Sequence, residues 1–201
     1  MLEKDFAQKH PTTAEIATWT ADLTITFEDI SHEAVADLLT AFRQVFANGD
    51  ARFASFIIGP SPVLDYYAVR DQLDEIEFWT CLLQHPAVLE NLPWLGDTYF
   101  DIKDINFKPL SAYYLDGDLA ETLVIGGAYR SRRFPGTAEE AKILGLDFCS
   151  AIFENRFDEL ILRKSKDAWA SWFKVGPWDN TWLGLDRRAR RFWFLCATDT
   201  D

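Results

Sequence analysis

The chain has 201 residues, of which 48% are hydrophobic and 26% are charged, a composition typical of an ordinary soluble globular protein. This length predicts a single domain over residues 1–201 with room for a sizeable core. No apolar run reaches the ~18–20 residues that a membrane crossing needs, and the first residues lack the pattern of a signal peptide. Three cysteines without CxxC spacing indicate buried thiols in a reducing compartment, so we expect a cytoplasmic protein.

The charge is strongly acidic and unevenly placed. The formal net charge is −12, with 5 Lys/Arg against 16 Asp/Glu in residues 1–100 and 15 against 16 in residues 101–201. A field of this sign repels nucleic acids and anionic membranes, and it attracts a basic protein surface. Solubility alone is the competing explanation, because charge balance does not specify a partner.

The first part of the chain predicts a strand, a helix and a second strand. Residues Thr18–Glu28 alternate between apolar and polar side chains, which predicts a half-buried strand. Ser31 is expected to cap the following helix, and Asn48-Gly49 to end it. Ala51–Ile58 is predicted to form the second strand. The buried stripe of the helix is predicted to comprise Val35, Leu38, Leu39, Phe42, Val45 and Phe46.

A long helix is predicted next, from Val63 to Gln84. Pro62 suits its first position, and Pro86 ends it because proline disfavours helical backbone in the residue before it. A short helix to Leu92 follows. The buried stripe of the long helix is predicted to comprise Val69, Leu73, Ile76, Trp79 and Leu83. Its opposite face carries five acids, namely Asp65, Asp71, Asp74, Glu75 and Glu77.

The middle of the chain predicts strands at Thr98–Ile102 and Leu110–Leu115, followed by a turn at residues 116–118. Leu119–Ile125 fits a short helix ended by Gly126-Gly127, and a strand is the alternative. A capping box at residues 137–140 predicts a helix to about Glu154. Its inward residues are predicted to be Ala141, Leu144, Phe148 and Ile152, with Gly145 marking a close approach to a neighbouring element.

The end of the chain is rich in tryptophan, with five of the eight tryptophans between Asp158 and Asp199. The predicted strands are Glu159–Arg163, Ala168–Lys174, Asn180–Asp186 and Arg191–Thr198, the last two joined in a hairpin by a basic turn. These elements predict an α+β fold in which a mostly antiparallel sheet with Trp-rich C-terminal strands carries helices packed on one face.

Motifs for catalysis, metal binding or cofactor binding are absent from the sequence. His10, His32 and His85 lack metal-ligand spacing, so we expect surface or capping histidines, no cofactor and no metal. Asp179 and Asp199 offer a weak hypothesis of hydrolysis or hard-cation binding. The competing interpretation is that they are solvated turn and terminus residues. Three groups of acids have the same two interpretations, and they comprise Asp97, Asp101 and Asp104, then Asp116 and Asp118, and finally Asp199 and Asp201.

Two basic clusters interrupt the acidic sequence, and they comprise Arg130, Arg132 and Arg133 and then Arg187, Arg188, Arg190 and Arg191. Contacts with phosphate are one interpretation, but the net charge argues against nucleic-acid binding. Pairing with the acidic first half, within the chain or between subunits, is the other interpretation.

Three functional hypotheses follow. The first is a non-enzymatic acidic protein that binds a basic protein partner, in its concrete form a bacterial toxin-neutralising immunity protein. The expected partner-binding residues are Asp65, Asp71, Asp74, Glu75 and Glu77. The second is an Asp-based hydrolase or metal-dependent enzyme. The third is a self-associating structural domain, a homodimer formed through an apolar patch of Trp172, Trp178 and Phe192.

Overall fold

The computed structural model describes residues 8–21, 23–97 and 105–201, and its centre is a six-stranded antiparallel sheet. The strand order across the sheet is β1-β2-β6-β5-β4-β3. The strands are β1 (Ile25–Glu28), β2 (Asp50–Ile58), β3 (Lys108–Leu110), β4 (Leu160–Ser165), β5 (Asn180–Asp186) and β6 (Arg191–Thr198). The predicted hairpin is confirmed with its bounds, since β5 and β6 pair from Asp186 opposite Arg191 to Asn180 opposite Ala197.

Helices connect and cover the sheet. They are α1 (Thr13–Thr18), α2 (Glu33–Val45), α3 (Pro62–Val69), α4 (Phe78–Leu83), α5 (Pro86–Leu89), α6 (Leu115–Ile125) and α7 (Ala138–Phe153). Short 3-10 segments lie at Leu73–Ile76, Pro93–Leu95, Ala112–Tyr114 and Phe157–Glu159. The α+β class, the antiparallel sheet and the tryptophan-rich terminal strands are therefore confirmed.

Apolar side chains cover both faces of the sheet, where the sequence predicted helices on one face. On β6, Phe192, Phe194 and Cys196 face a core formed with α3, α4 and α5, while Trp193 and Leu195 face a second core formed with α2, α6 and α7. The reason is visible in β6, which is apolar at every position from Phe192 to Ala197. A strand that is apolar at consecutive positions must be buried on both sides.

The N-terminal strand is shorter than predicted. Residues Thr13–Thr18 form α1, which is capped by a reciprocal pair of hydrogen bonds between Thr12 and Glu15. Only Ile25–Glu28 of the predicted strand Thr18–Glu28 is β1. Trp19 is nevertheless buried, because its ring stacks on Phe78 with centroids 6.1 Å apart. The next helix begins one residue later than expected, since His32 caps α2 in place of Ser31.

The prediction of one continuous helix from Val63 to Gln84 is wrong. It is broken into α3, the 3-10 segment Leu73–Ile76 and α4, with left-handed residues at Asp71 (φ 56°) and Glu77 (φ 49°). In one straight helix Leu73 would lie roughly 180° around the axis from Leu64. The breaks allow both leucines to be buried in the same core.

Two further predicted strands are wrong. Of the predicted strand Leu110–Leu115, only Leu110 lies in a strand, the short β3 that pairs with β4. Residues 116–118 form the first turn of α6 in place of a free turn. Leu119–Ile125 is helical, which excludes the strand alternative. Ala168–Lys174 is irregular, and its backbone bonds instead to residues 95 and 97. The strand predicted at Thr98–Ile102 falls outside the described residues.

The helix predicted after the capping box at Thr137 is confirmed as α7, and Gly145 lies against α6. A β-carbon at Gly145 would be 2.4 Å from the carbonyl oxygen of Asp116, a backbone atom that cannot move independently. Gly117 of α6 is different, because its β-carbon would meet only the flexible end of Lys142, at 3.0 Å.

We predict that alanine has opposite effects at these two helical glycines. Gly145→Ala lowers the free energy of unfolding by about 1–3 kcal/mol because α6 and α7 must separate. Gly117→Ala raises it by up to about 1 kcal/mol through helix propensity. Urea denaturation measures both, and equal effects at the two sites would contradict the packing of α6 on α7.

Candidate functional site

The five predicted partner-binding acids lie on a segment that changes direction twice, and not on one helical face. Asp65 is in the first turn of α3, while Asp74 and Glu75 belong to the 3-10 segment. Asp71 and Glu77 occupy the left-handed positions at the two breaks. We call residues 65–77 the acidic segment.

Asp74 is the counter-ion of a buried arginine. Its carboxylate accepts hydrogen bonds from Arg163 Nη2 at 2.6 Å and from Trp79 Nε1 at 3.2 Å. The Arg163 side chain is 8% exposed whereas that of Asp74 is 63% exposed. A buried guanidinium needs such a partner, so Asp74 has a structural role.

The basic turn after β5 binds the acidic first half of the chain, as one interpretation of the sequence predicted. Arg190 Nη2 donates to Asp65 at 2.6 Å, and Arg191 donates to both oxygens of Glu28 at 2.7 and 3.0 Å. These pairs lie within one chain, and they connect the terminal hairpin to α3 and β1. Asp65 is thereby also an internally paired acid.

Asp71 and Glu75 are the exposed acids of the segment that remain. Neither has an ion pair with any residue that the structure describes. Glu77 is exposed as well, and it already has an interaction within the chain. The acidic segment therefore offers two unpaired carboxylates, beside others that stabilise the fold.

A second acidic surface lies between α2 and α7, and the sequence did not reveal it. Glu33, Asp37 and Asp147 line a cavity of about 390 Å³, whose other lining residues are His32, Ala34, Leu144, Ser150 and Ala151. We call this the helix groove. All three acids are exposed, and none forms an ion pair within the described ranges. Both helices were predicted, but no sequence signal shows which of their faces meet.

Apolar side chains are exposed on α7 beside the helix groove. Ile143 is 49% exposed and Leu146 is 43% exposed, next in sequence to the groove residues Leu144 and Asp147. An apolar centre surrounded by a polar rim is the usual arrangement of a protein interface. The patch expected from Trp172, Trp178 and Phe192 is wrong, because Phe192 is fully buried and the two tryptophans are half-buried.

Asp179 and Asp199, the hypothetical catalytic pair, are fully buried and are not solvated turn and terminus residues. Asp199 accepts hydrogen bonds from the backbone N–H groups of Asn48 and Ala128, both at 2.9 Å. Asp179 accepts one from the Gly176 N–H at 2.9 Å and a short one from the Thr198 hydroxyl. These bonds attach three loops to the end of β6, which is a structural role.

Of the remaining acids named from the sequence, Asp116 and Asp118 form ion pairs with lysines. Asp116 binds Lys142 at 2.8 Å, and Asp118 accepts from Lys164 Nζ and Trp182 Nε1, both at 2.6 Å. Asp101 and Asp104 fall outside the described residues. Among residues 8–21, 23–97 and 105–201, no group of three His, Cys, Asp or Glu side chains is placed to hold a metal ion.

The histidines and cysteines have structural positions. His32 and His85 cap α2 and α5, each accepting an N–H bond through Nδ1 at 3.2 Å, which confirms the capping interpretation. Burial lowers the pKa of His85. Burial also raises the pKa values of Cys149 and Cys196 to about 12, so these thiols remain protonated and unreactive at neutral pH.

Comparison with known proteins adds no functional information. A scan against protein-family models, a search of curated proteins and a search of solved structures each found no match. For the described part of the chain, every helix is too short or too polar to cross a membrane.

We predict that Asp199→Asn lowers the free energy of unfolding by about 1–3 kcal/mol, because an amide nitrogen would face a buried N–H group. Thermal or urea denaturation measures the loss. Asp201→Asn, at the exposed last residue, is the matched control and is expected to have no effect. A divalent cation that stabilised the wild type but not Asp199→Asn would contradict the structural role and favour the metal-enzyme hypothesis.

We also predict a pH dependence from the Glu28–Arg191 pair. The hydrogen bond from Arg191 lowers the pKa of Glu28 below its ordinary value of 4.5. The native state therefore binds this proton less readily than the unfolded state, and the stabilisation is present above about pH 4.5. It is lost as the pH falls through the native pKa.

The measurement compares the wild type with Glu28→Gln by urea denaturation between pH 3 and 7. The stability difference is expected to shrink as the pH falls. A difference that stays constant over this range would show that Glu28 has the same pKa in both states.

Proposed function

We propose that this protein is a non-enzymatic binding protein that neutralises a basic protein partner. The observation that carries the proposal is the distribution of unpaired charge. Arginines of the terminal turn form ion pairs within the chain, with Asp65, Glu28 and Glu159. Two acids of the acidic segment, Asp71 and Glu75, form no ion pair with any described residue. The same holds for the three acids of the helix groove.

Electrostatics support this assignment. With a net charge of −12, the molecule attracts a cationic surface over a distance of about a Debye length, ~8–10 Å at physiological salt. Steering by such a field accelerates association more than it strengthens the final complex. The affinity must come from contacts that exclude water, and the exposed side chains of Ile143 and Leu146 beside the helix groove can provide them.

The specific form of the proposal is an immunity protein that acts in the cytoplasm on a basic toxin. The supporting features are small size, high acidity and cysteines that are buried as free thiols, which suit a reducing compartment. A neighbouring gene that encodes a secreted toxin would identify the partner. Co-expression should then restore growth of cells that produce this toxin, and continued growth arrest would contradict the immunity role.

The binding surfaces are tested by neutralising matched pairs of acids. We predict that Glu33→Gln/Asp37→Asn in the helix groove, or Asp71→Asn/Glu75→Gln in the acidic segment, reduces partner capture by about threefold or more at low salt. The control is Glu121→Gln/Glu139→Gln, which removes the same charge from exposed positions elsewhere. Quantitative mass spectrometry of proteins captured from lysate by the four baits provides the measurement.

Equal capture of every protein by all four baits would contradict the proposal. So would capture that is insensitive to salt between low and physiological ionic strength, since surface electrostatics is screened over this range.

A further inference from the structure

A cavity of about 470 Å³ lies at the edge of the sheet, where β3 ends before β4 does. β3 pairs with β4 only as far as Leu110 opposite Leu162, so that on this side no described strand lies beside Leu160 and Ile161. The aromatic side chains of Tyr113 and Phe157 line one part of the cavity, with stacked rings whose centroids are 5.9 Å apart. Two arginines, Arg163 and Arg187, line it as well.

Arg187 is the arginine of the basic turn that has no carboxylate partner among the described residues. Its guanidinium donates instead to the backbone carbonyls of Ala68, Asp158 and Glu159. Arg188, Arg190 and Arg191 of the same turn each bind a carboxylate. Arg187 therefore forms no ion pair with a described residue, although the protein as a whole carries an excess of acids.

Arg163 contributes a second guanidinium with unused donors. A guanidinium has five N–H bonds, and the described structure supplies acceptors for two of the donor groups of Arg163, the carbonyl of Leu162 and the carboxylate of Asp74. The ion pair with Asp74 compensates the charge of Arg163, but the Nε–H of Arg163 has no acceptor in the described structure and can donate to an anion in the cavity.

Asp71 and Asp158 also line the cavity, and they restrict what can enter. Both are exposed, and neither carboxylate pairs with Arg163 or Arg187. Their negative charge disfavours a polyanion such as a nucleic acid more strongly than a small anion. Tyr113, which is 66% exposed, provides a flat apolar wall next to this position.

We propose that this cavity binds the phosphate or carboxylate group of a small anionic ligand, held between Arg163 and Arg187. Arginine suits either group because its planar donors bind two oxygens at once. The site is separate from the helix groove, and it shares Asp71 with the acidic segment.

The test is calorimetric titration of the full chain with inorganic phosphate, phenyl phosphate and benzoate as probes. Saturable binding of at least one probe is expected, and the tightest probe identifies which oxygen group the site prefers. Arg187→Gln should weaken binding about tenfold or more, the effect of losing a hydrogen bond between charged groups. Arg130→Gln, in the exposed basic cluster outside the cavity, should leave it unchanged.

Asp71→Asn keeps the proposal testable if Arg187→Gln fails to fold. Asparagine tolerates the left-handed backbone of residue 71, and removing the charge at the rim should tighten binding about two- to fivefold. Absence of saturable binding for all three probes would overturn the proposal. An affinity that is unchanged in Asp71→Asn, or reduced equally in Arg130→Gln and Arg187→Gln, would also overturn it.

Discussion

The structure depends on β6, the strand that lies between β2 and β5 and takes part in both cores. Its successive side chains point to opposite faces, and each one from Phe192 to Thr198 is buried. Trp193 shows how tightly this arrangement is packed, because a β-carbon on its cross-strand partner Gly184 would be 2.2 Å from the indole ring. The indole N–H of Trp193 is buried and has no hydrogen-bond partner among the described residues, which costs roughly 1–3 kcal/mol. The fold tolerates this cost because the ring fills the space above the glycine.

The turn that leads into β6 links this core to the electrostatics of the surface. Asp186 holds the turn by accepting the N–H groups of Arg188 and Ala189 at 3.0 and 3.1 Å. The arginines beyond it then reach α3 and β1, where Asp65 and Glu28 are their partners. One basic turn thus neutralises acids from distant parts of the chain, while acids outside its reach stay exposed. The uneven charge of the sequence therefore appears in the described structure as unpaired acids on the acidic segment and in the helix groove.

Much of the central sheet could be predicted, because its local signals agree with its tertiary setting. The hairpin of β5 and β6 combines two strands rich in β-forming residues with a polar turn, and the helix α7 has a complete capping box. The helix Val63–Gln84 could not be predicted as three pieces, since its breaks depend on burying Leu64 and Leu73 together. The two-sided burial of β6 had a readable signal in the run from Phe192 to Ala197, and the prediction of helices on one face did not use it.

The candidate sites were harder to predict from the sequence than the fold was. A surplus of acids is visible in the composition, but which acids are paired depends on contacts across 29 to 163 residues of chain. Asp74 and Asp65 were predicted as surface charges, and both are counter-ions of arginines. The helix groove and the cavity of Arg163 and Arg187 exist only because separate elements meet, so neither leaves a pattern of fixed spacing in the sequence.

The central claim is that β6 makes the two cores one cooperative unit, and native-state hydrogen exchange tests it most directly. The amides of Phe192 to Ala197 are predicted to exchange with a free energy equal to that of global unfolding measured in urea. The slowest amides of α4 and α7, on opposite faces of the sheet, should share this value. Exchange of β6 through a smaller opening, or clearly different values for α4 and α7, would contradict the claim.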